Sequence, residues 1–240
     1  MSADYDLAVV GSGFAGSLLA MIARRLGKSV VLLERAKHPR FAIGESTTPL
    51  SNLLLEELST RYSLPNLLPL CKWGTWRKAY PDVACGLKRG FTFYHHRAGC
   101  NPEREDQLLV AASPHDAIGD THWYRAEVDA LFVSEAEKSG VHYLDEVLMQ
   151  GACERDDEVR IEATRHGEQL TVSARFVVDA TGPRGFLHKT LALPELALPD
   201  MPATEALYTH FTNVGRLDEL APQAETPPYP VDDAAVHHVF

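Results

Sequence analysis

Apolar positions along the chain follow three spacings, and each predicts a different element. Short, mainly apolar stretches at 7–10, 29–33 and 176–178 read as strands of a parallel sheet buried on both faces. Between the first two runs, Ala15, Leu18, Leu19, Ile22, Ala23 and Leu26 recur at helical spacing, and Gly27 is placed to end that helix. A second helix is predicted after Thr48 and Pro49, an N-cap followed by proline at the first helical position, with Leu50, Leu53, Leu54 and Leu58 on one face. A third spans 125–139, with Val128, Leu131, Phe132 and Ala136 inward and Gly140 at its end. Alternating positions predict strands at 90–96 and 107–112, then several short strands over 141–178, with turns at 155–157 and at His166-Gly167. Further strands are expected at 206–214 and 234–240. Residues 62–90 carry three prolines and two tryptophans and show no long periodicity.

The order strand, glycine turn, helix, strand, acid over 5–35 carries the first candidate chemistry. Gly11-Ser12-Gly13-Phe14-Ala15-Gly16 has the G-x-G-x-x-G spacing of a dinucleotide-binding turn. Gly11 allows the tight turn, Gly13 lets the backbone approach a pyrophosphate, and Gly16 lets the helix lie close on the strand. Phe14 and Ala15 open the helix, whose free N–H groups attract an anion by roughly 0.3–1 kcal/mol. Glu34, at the end of the second strand, is placed to accept from both hydroxyls of an unphosphorylated ribose. The alternative is a tight turn in an α/β domain that binds no nucleotide. Arg40 in the following loop either reaches a phosphate or is a solvated loop arginine. Glu45, Ser46 and Thr47 stand just before the second helix, so the loop could bring polar groups toward the same cofactor.

Composition narrows the classes. The chain has 240 residues, 45% of them hydrophobic, enough for one large domain or two small ones. A formal net charge of −10 disfavours nucleic acid as a partner. No apolar run approaches the ~18 residues of a transmembrane segment, and no export signal is evident. Cys71, Cys85, Cys100 and Cys153 form no C-x-x-C pair, which points to reduced thiols and a cytoplasmic protein. His95 and His96 alternate across a strand, as do His237 and His238, so no metal site is expected from them. Trp73 and Trp76 could wall a substrate, and buried packing is the commoner role for such aromatics.

Three motifs together resemble the glutathione-reductase-type FAD fold of the flavoprotein monooxygenase group. They are the turn Gly11–Gly16 with Glu34, the R-x-x-x-D-x-L run from Arg125 to Leu131, and Asp179-Ala-Thr-Gly182. The resemblance implies that Arg125, Asp179 and Gly182 face the flavin nucleotide, that the backbone near Val147 contacts the adenine, and that the cofactor is FAD. It implies an α/β architecture: a Rossmann-like FAD-binding domain with an inserted antiparallel β-meander and the start of a second, β-rich substrate layer. The expected division is a discontinuous FAD domain at 1–60 and 105–192, with a partial substrate layer at 61–104 and 193–240.

Gly44-Glu45-Ser46-Thr47-Thr48-Pro49 is similar to the G-E-S/A-T-x-P loop of flavin-dependent halogenases. Those enzymes use reduced FAD, oxygen and chloride to make hypochlorous acid, which travels to a lysine that directs chlorination. Lys88, in a K-x-G-x-x-F context, is the lysine this resemblance selects; the alternative is a structural or surface lysine. The halogenase W-x-W-x-I-P motif is absent, and in that family it follows a strand such as 234–240, so the chain is expected to be an N-terminal portion. The implied partners are chloride, a free or carrier-protein-bound aromatic substrate, and a separate flavin reductase. Two other functions stay open: a flavin-dependent hydroxylase or a reductase of a lipid or quinone, and a catalytically silent nucleotide-binding fragment.

Overall fold

The computed structural model describes residues 3–95, 97–100, 107–110, 113–183, 185–196, 199–202, 208–209 and 236–239. The strand expected at 206–214 therefore lies almost wholly outside the described residues. In chain order the elements are β1 (Tyr5–Val10), α1 (Phe14–Arg25), β2 (Val30–Leu33), α2 (Pro49–Arg61), α3 (Trp73–Ala79), β3 (Cys85–Lys88), β4 (Gly90–Tyr94) and β5 (Gln107–Val110). They continue with β6 (Asp120–Trp123), α4 (Arg125–Lys138), β7 (His142–Leu144), β8 (Val147–Arg155), β9 (Glu158–Arg165), β10 (Glu168–Asp179), α5 (Phe186–Thr190) and β11 (Val236–Val239). Contacts divide the chain into two units, 1–44 with 125–198 and 45–124 with 199–240. By this grouping α2 belongs to the second unit.

The first unit is built on a six-stranded sheet in the order β7-β2-β1-β10-β9-β8. β7, β2, β1 and the end of β10 run parallel, while β8, β9 and the start of β10 form the antiparallel meander. The meander is thus continuous with the parallel sheet through one twelve-residue strand. Ala8, Val10, Val31, Leu33, Val147, Ile161, Ala163, Val172 and Ala174 form one buried cluster that spans both halves. β2 is buried at all four positions, as a central parallel strand should be. His166 and Gly167, both at positive φ, turn β9 into β10.

Helix α1 is rotated from the face that spacing predicts. Its buried residues are Gly16, Ser17, Ala20, Met21 and Ala23, while Ala15 is exposed and Leu26 is 60% exposed. Small side chains face inward because the helix lies close on the sheet and also packs on α4, leaving little depth for leucines. The N–H of Lys28 donates to the carbonyl of Ala23, and that of Gly27 to Arg24, which ends the helix in a Schellman turn. Helix α4 ends the same way at Gly140. Its inward face includes Asp129, which apolar periodicity alone does not select.

The second unit holds a three-stranded sheet, β11-β4-β5, and a two-stranded ladder, β3-β6. Helix α2 starts as expected, with Thr48 Oγ1 accepting from the N–H of Ser51. Its buried stripe, however, is Asn52, Leu55 and Ser59, and Leu50, Leu53 and Leu54 are exposed. The leucine face is therefore not the core face. Asn52 sets the orientation, because its amide donates to the buried Asp120 at 2.7 Å, and leaving that bond unmade would be costly. Trp76 is fully buried, donates through Nε1 to Val83 and packs on Trp123, so it is a packing aromatic. The four cysteines are free, and burial pushes the Cys71 thiol up to about 12. Among the described residues no helix is long and apolar enough to cross a membrane, and no His, Cys, Asp and Glu cluster could hold a metal ion.

Candidate functional site

β1 delivers the chain into Gly11 at φ +102, where the N–H donates to Leu33 at 2.7 Å. A Cβ on Gly11 would stand 2.6 Å from the Ala180 carbonyl oxygen, and one on Gly16 would overlap the Gly11 carbonyl. The N–H of Ala180 in turn donates to Val10 at 2.7 Å. The glycine turn and the Asp179–Gly182 strand end therefore touch at one edge of the sheet, as the pattern predicts. Gly13 differs from its neighbours. Its backbone is extended, at φ −63 and ψ 170, a conformation open to any residue. A Cβ there would meet nothing nearer than Arg125 Nη2 at 3.4 Å, Asp129 Oδ2 at 3.8 Å and Arg40 Nη2 at 3.9 Å. No protein atom demands glycine at position 13, and the small space in front of it is edged by two guanidinium groups.

Those groups belong to a buried network. Arg125 grips Asp129 with Nε to Oδ1 at 2.8 Å and Nη2 to Oδ2 at 2.9 Å, the i,i+4 spacing of α4. Its Nη1 donates to the carbonyls of Ile43 and Gly44, and the guanidinium lies 4.6 Å from the centre of the Phe14 ring. Asp129 is fully buried and accepts from the N–H of Phe14 at 3.2 Å. It caps the first turn of α1, where Gly13 offers no side chain to do so. Asp129 was visible in sequence only as one letter of the R-x-x-x-D-x-L run. The signal that could have singled it out is an Arg–Asp pair four apart at a helix start.

Arg40 is held by acids rather than by solvent: Nη2 is 3.1 Å from Glu34 Oε2 and Nη1 is 3.6 Å from Asp129 Oδ2. Glu34 Oε2 also accepts from the N–H and hydroxyl of Ser12 at 3.0 and 2.8 Å, and Oε1 accepts from the N–H of Ala36 at 3.0 Å. Burial pushes this carboxyl up, but the two backbone N–H groups and Arg40 outweigh it and hold it below its usual range. Oε1 accepts only from Ala36 among the described residues, so it keeps acceptor capacity. His38 pairs with the Ser12 hydroxyl at 2.7 Å, and burial together with Arg40 lowers its pKa. His38 Nδ1 and Arg40 Nε are buried without a protein partner among the described residues.

Val147 is buried, and its N–H donates to the Glu34 carbonyl at 2.9 Å, so β8 begins beside the acid. Asp179 turns its carboxylate onto its own loop, accepting from the N–H groups of Thr181 and Leu187 at 3.0 and 2.7 Å. Gly182 is exposed, at φ +90 with open space around it.

Glu45, Ser46, Thr47 and Lys88 belong to the second unit. The loop runs as an extra edge along β6: the Glu45 carbonyl accepts from Trp123, Ser46 bridges His122, and Thr47 donates through Oγ1 to Thr121 at 2.7 Å. Lys88 is fully buried. Its Nζ donates to Ser46 Oγ at 2.8 Å and to the Thr47 carbonyl, and lies 3.6 Å from the centre of the Phe91 ring. Burial lowers the Lys88 pKa to about 8, against the opposing charge of Asp120.

A parallel sheet, a glycine turn at a helix start and an acid at the next strand end define an α/β protein of the dinucleotide-binding class. Residues 6–240 match the FAD dependent oxidoreductase family, and the chain belongs to it. It is 29% identical over 242 residues to the tetracycline 7-halogenase of Kitasatospora aureofaciens, covering 98% of this chain and 42% of the relative. It is 27% identical over 241 residues to the monodechloroaminopyrrolnitrin halogenase PrnC of Pseudomonas fluorescens, covering all of this chain and 41% of that protein. The crystal structure of halogenase PltM in complex with phloroglucinol and FAD superposes with a TM-score of 0.71 at 28% identity, over 79% of this chain and 36% of that one. The chain thus spans about two-fifths of the length of the curated relatives it matches.

Proposed function

We propose that this chain is the FAD-binding part of a flavin-dependent halogenase acting on an aromatic substrate, free or tethered to a carrier protein. The single observation that carries the reading is the buried Lys88 amine, held by Ser46 and Thr47 of the G-E-S-T loop, where burial lowers its pKa to about 8. Its support from kinship is that the relatives named above are halogenases.

In this reading the pyrophosphate of FAD takes the space before Gly13, where Arg125 and Arg40 supply charge and α1 presents its first N–H groups. Glu34 holds the adenosine ribose through the free capacity of Oε1, while Ala180 and Gly182 line the strand end beside the turn. The backbone near Val147, which begins β8 beside Glu34, would contact the adenine. Bound FAD, once reduced by a separate flavin reductase, would supply the oxidising chemistry that turns oxygen and chloride into a chlorinating agent. Lys88 would receive that agent, either donating a hydrogen bond to hypochlorous acid or, as the neutral amine, carrying the chlorine. Ser46 and Thr47 fix where Nζ stands.

The natural-length protein supplied with reduced flavin, oxygen, chloride or bromide, and a panel of phenols and carrier-bound pyrroles should give product with the isotope pattern of the halide supplied. Hydroxylated or reduced product irrespective of halide would support the hydroxylase or reductase reading, and a protein that binds flavin but forms no product would support a silent nucleotide-binding role. Glu34→Ala should weaken FAD binding by roughly 1.5–3 kcal/mol, the worth of hydrogen bonds to a charged acceptor. Calorimetric titration checks this, and unchanged affinity would remove the ribose assignment.

A further inference from the structure

Lys88 stands directly opposite Asp120 in the antiparallel ladder of β3 and β6, so both side chains leave the same face of a two-stranded sheet. Both are buried, at 0% and 9% exposure. A carboxylate and an ammonium removed from water on one face interact strongly even beyond contact distance, because little solvent screens them. The carboxylate is fixed in place. Asn52, itself 5% exposed on α2, donates through Nδ2 to Asp120 Oδ1 at 2.7 Å. Lys88 is fixed from the other side by Ser46 Oγ, the Thr47 carbonyl and the Phe91 ring. Other ionisable groups flank the pair. Glu45 precedes Ser46, His122 follows on β6, and Arg89 turns away to Ser113 and Asp116.

We propose that Asp120, held by Asn52, is a positioning residue that acts through the buried Lys88 amine by favouring its ammonium form. The consequence is chemical. Burial draws the Lys88 pKa down and Asp120 opposes that pull, so that both the ammonium and the free amine are present around pH 8. Asn52 matters because burial also pushes Asp120 up, and the Asn52 hydrogen bond, with the Lys88 charge, pulls it back toward the ionised form. The leucine spacing on α2 hides this role, since Asn52 lies on the face that faces inward instead.

The importance of this pair for halogen delivery rests on the function proposed above, but the coupling itself is measurable in the natural-length protein without any turnover. The ¹³Cε chemical shift of Lys88 in lysine-labelled protein, followed across pH 6–11 and assigned by Lys88→Met, gives its apparent pKa. Asp120→Asn should lower it by about one unit, and Asp120→Glu should restore most of the difference. A purely structural role would move neither value. In case Asp120→Asn does not fold, the wild type offers a second measurement. The carboxyl carbon of Asp120, labelled with ¹³C, should show a titration step at the same pH as Lys88, and Lys88→Met should abolish it. A folded Asp120→Asn with an unshifted Lys88 pKa, or a wild-type Asp120 signal flat through the Lys88 titration, overturns the proposal. A coupled pair in a protein that makes no halogenated product would leave the coupling standing and remove only the halogenase reading.

Discussion

Gly13→Val should weaken FAD binding by at least about a hundredfold while leaving the melting temperature nearly unchanged. The separation of the two effects follows from what surrounds each glycine. Gly11 and Gly16 are required by the protein itself, since a Cβ at either would strike backbone of the glycine turn or of the Ala180 strand end. Substitution there destroys the turn, and any loss of binding would be uninformative. At Gly13 the backbone is extended and the nearest protein atom to a Cβ is the Arg125 guanidinium at 3.4 Å, so a side chain there meets side-chain ends and no backbone. What valine removes is the space between two cationic side chains at a helix start. Two charge-assisted contacts to a pyrophosphate are worth roughly 3 kcal/mol or more together, which is about a hundredfold in affinity. Equilibrium dialysis with FAD and a thermal melt on the same sample decide the matter. Equal affinity in the variant would mean that the pyrophosphate lies elsewhere.

In the natural-length protein, Lys88→Met should bring halogenated product down to background while flavin binding and oxygen uptake persist. Lys88 belongs to the second unit and Gly13, Glu34 and Arg125 to the first, so the nucleotide contacts proposed here do not pass through the lysine. Methionine keeps the length and apolar stem of lysine. It removes a buried charge but leaves the Ser46 hydroxyl and Thr47 carbonyl without that donor, and the buried Asp120 without its counter-charge. Stability should therefore fall, by about 1–3 kcal/mol, and flavin binding is compared at a temperature where the variant is folded. The pH profile of the wild type adds a mechanistic reading. The neutral amine grows as pH rises through about 8 and the ammonium is lost over the same window. Product yield that rises through that window assigns the amine, and yield that falls assigns the ammonium. Oxygen uptake and product measured together are the check. A variant that halogenates at the wild-type rate makes Lys88 a structural residue.

The first unit was largely legible in sequence because its signals are local. β1, the glycine turn, α1, β2 and Glu34 occupy one continuous stretch, and each has its own pattern of apolar residues or glycine. The faces of the helices were less legible. In α1 the spacing selected Leu18, Leu19 and Leu26 along with Ala23, where close packing buries Ser17, Ala20 and Met21 instead of the leucines. In α2 it selected leucines, while a polar contact through Asn52 to a residue 68 positions away fixes the orientation. β3 and β6 escaped notice for the same reason: each has four residues, and they are strands only because they pair with each other. Of the site, the glycines and Glu34 could be read from motif spacing, and Arg125 only through the family resemblance. Asp129, Asn52 and Asp120 could not be assigned roles, because their meaning lies in partners supplied by distant segments.

The twelve-residue strand β10 serves two sheets' worth of pairing, and this bears on how the chain reaches its fold. Its first half closes a hairpin with β9, a local event needing only a two-residue turn. Its second half must find β1, and the bond that joins the two ends, from Asp4 to Ser173, spans 169 positions. Closing so long a loop costs on the order of 4–5 kcal/mol in chain entropy, against very little for the hairpin. The meander can therefore assemble first and hold the end of β10 as a ready-made edge. β1 and α1 precede that edge in the chain but must wait for it, so the nucleotide turn is made before the strand that completes it.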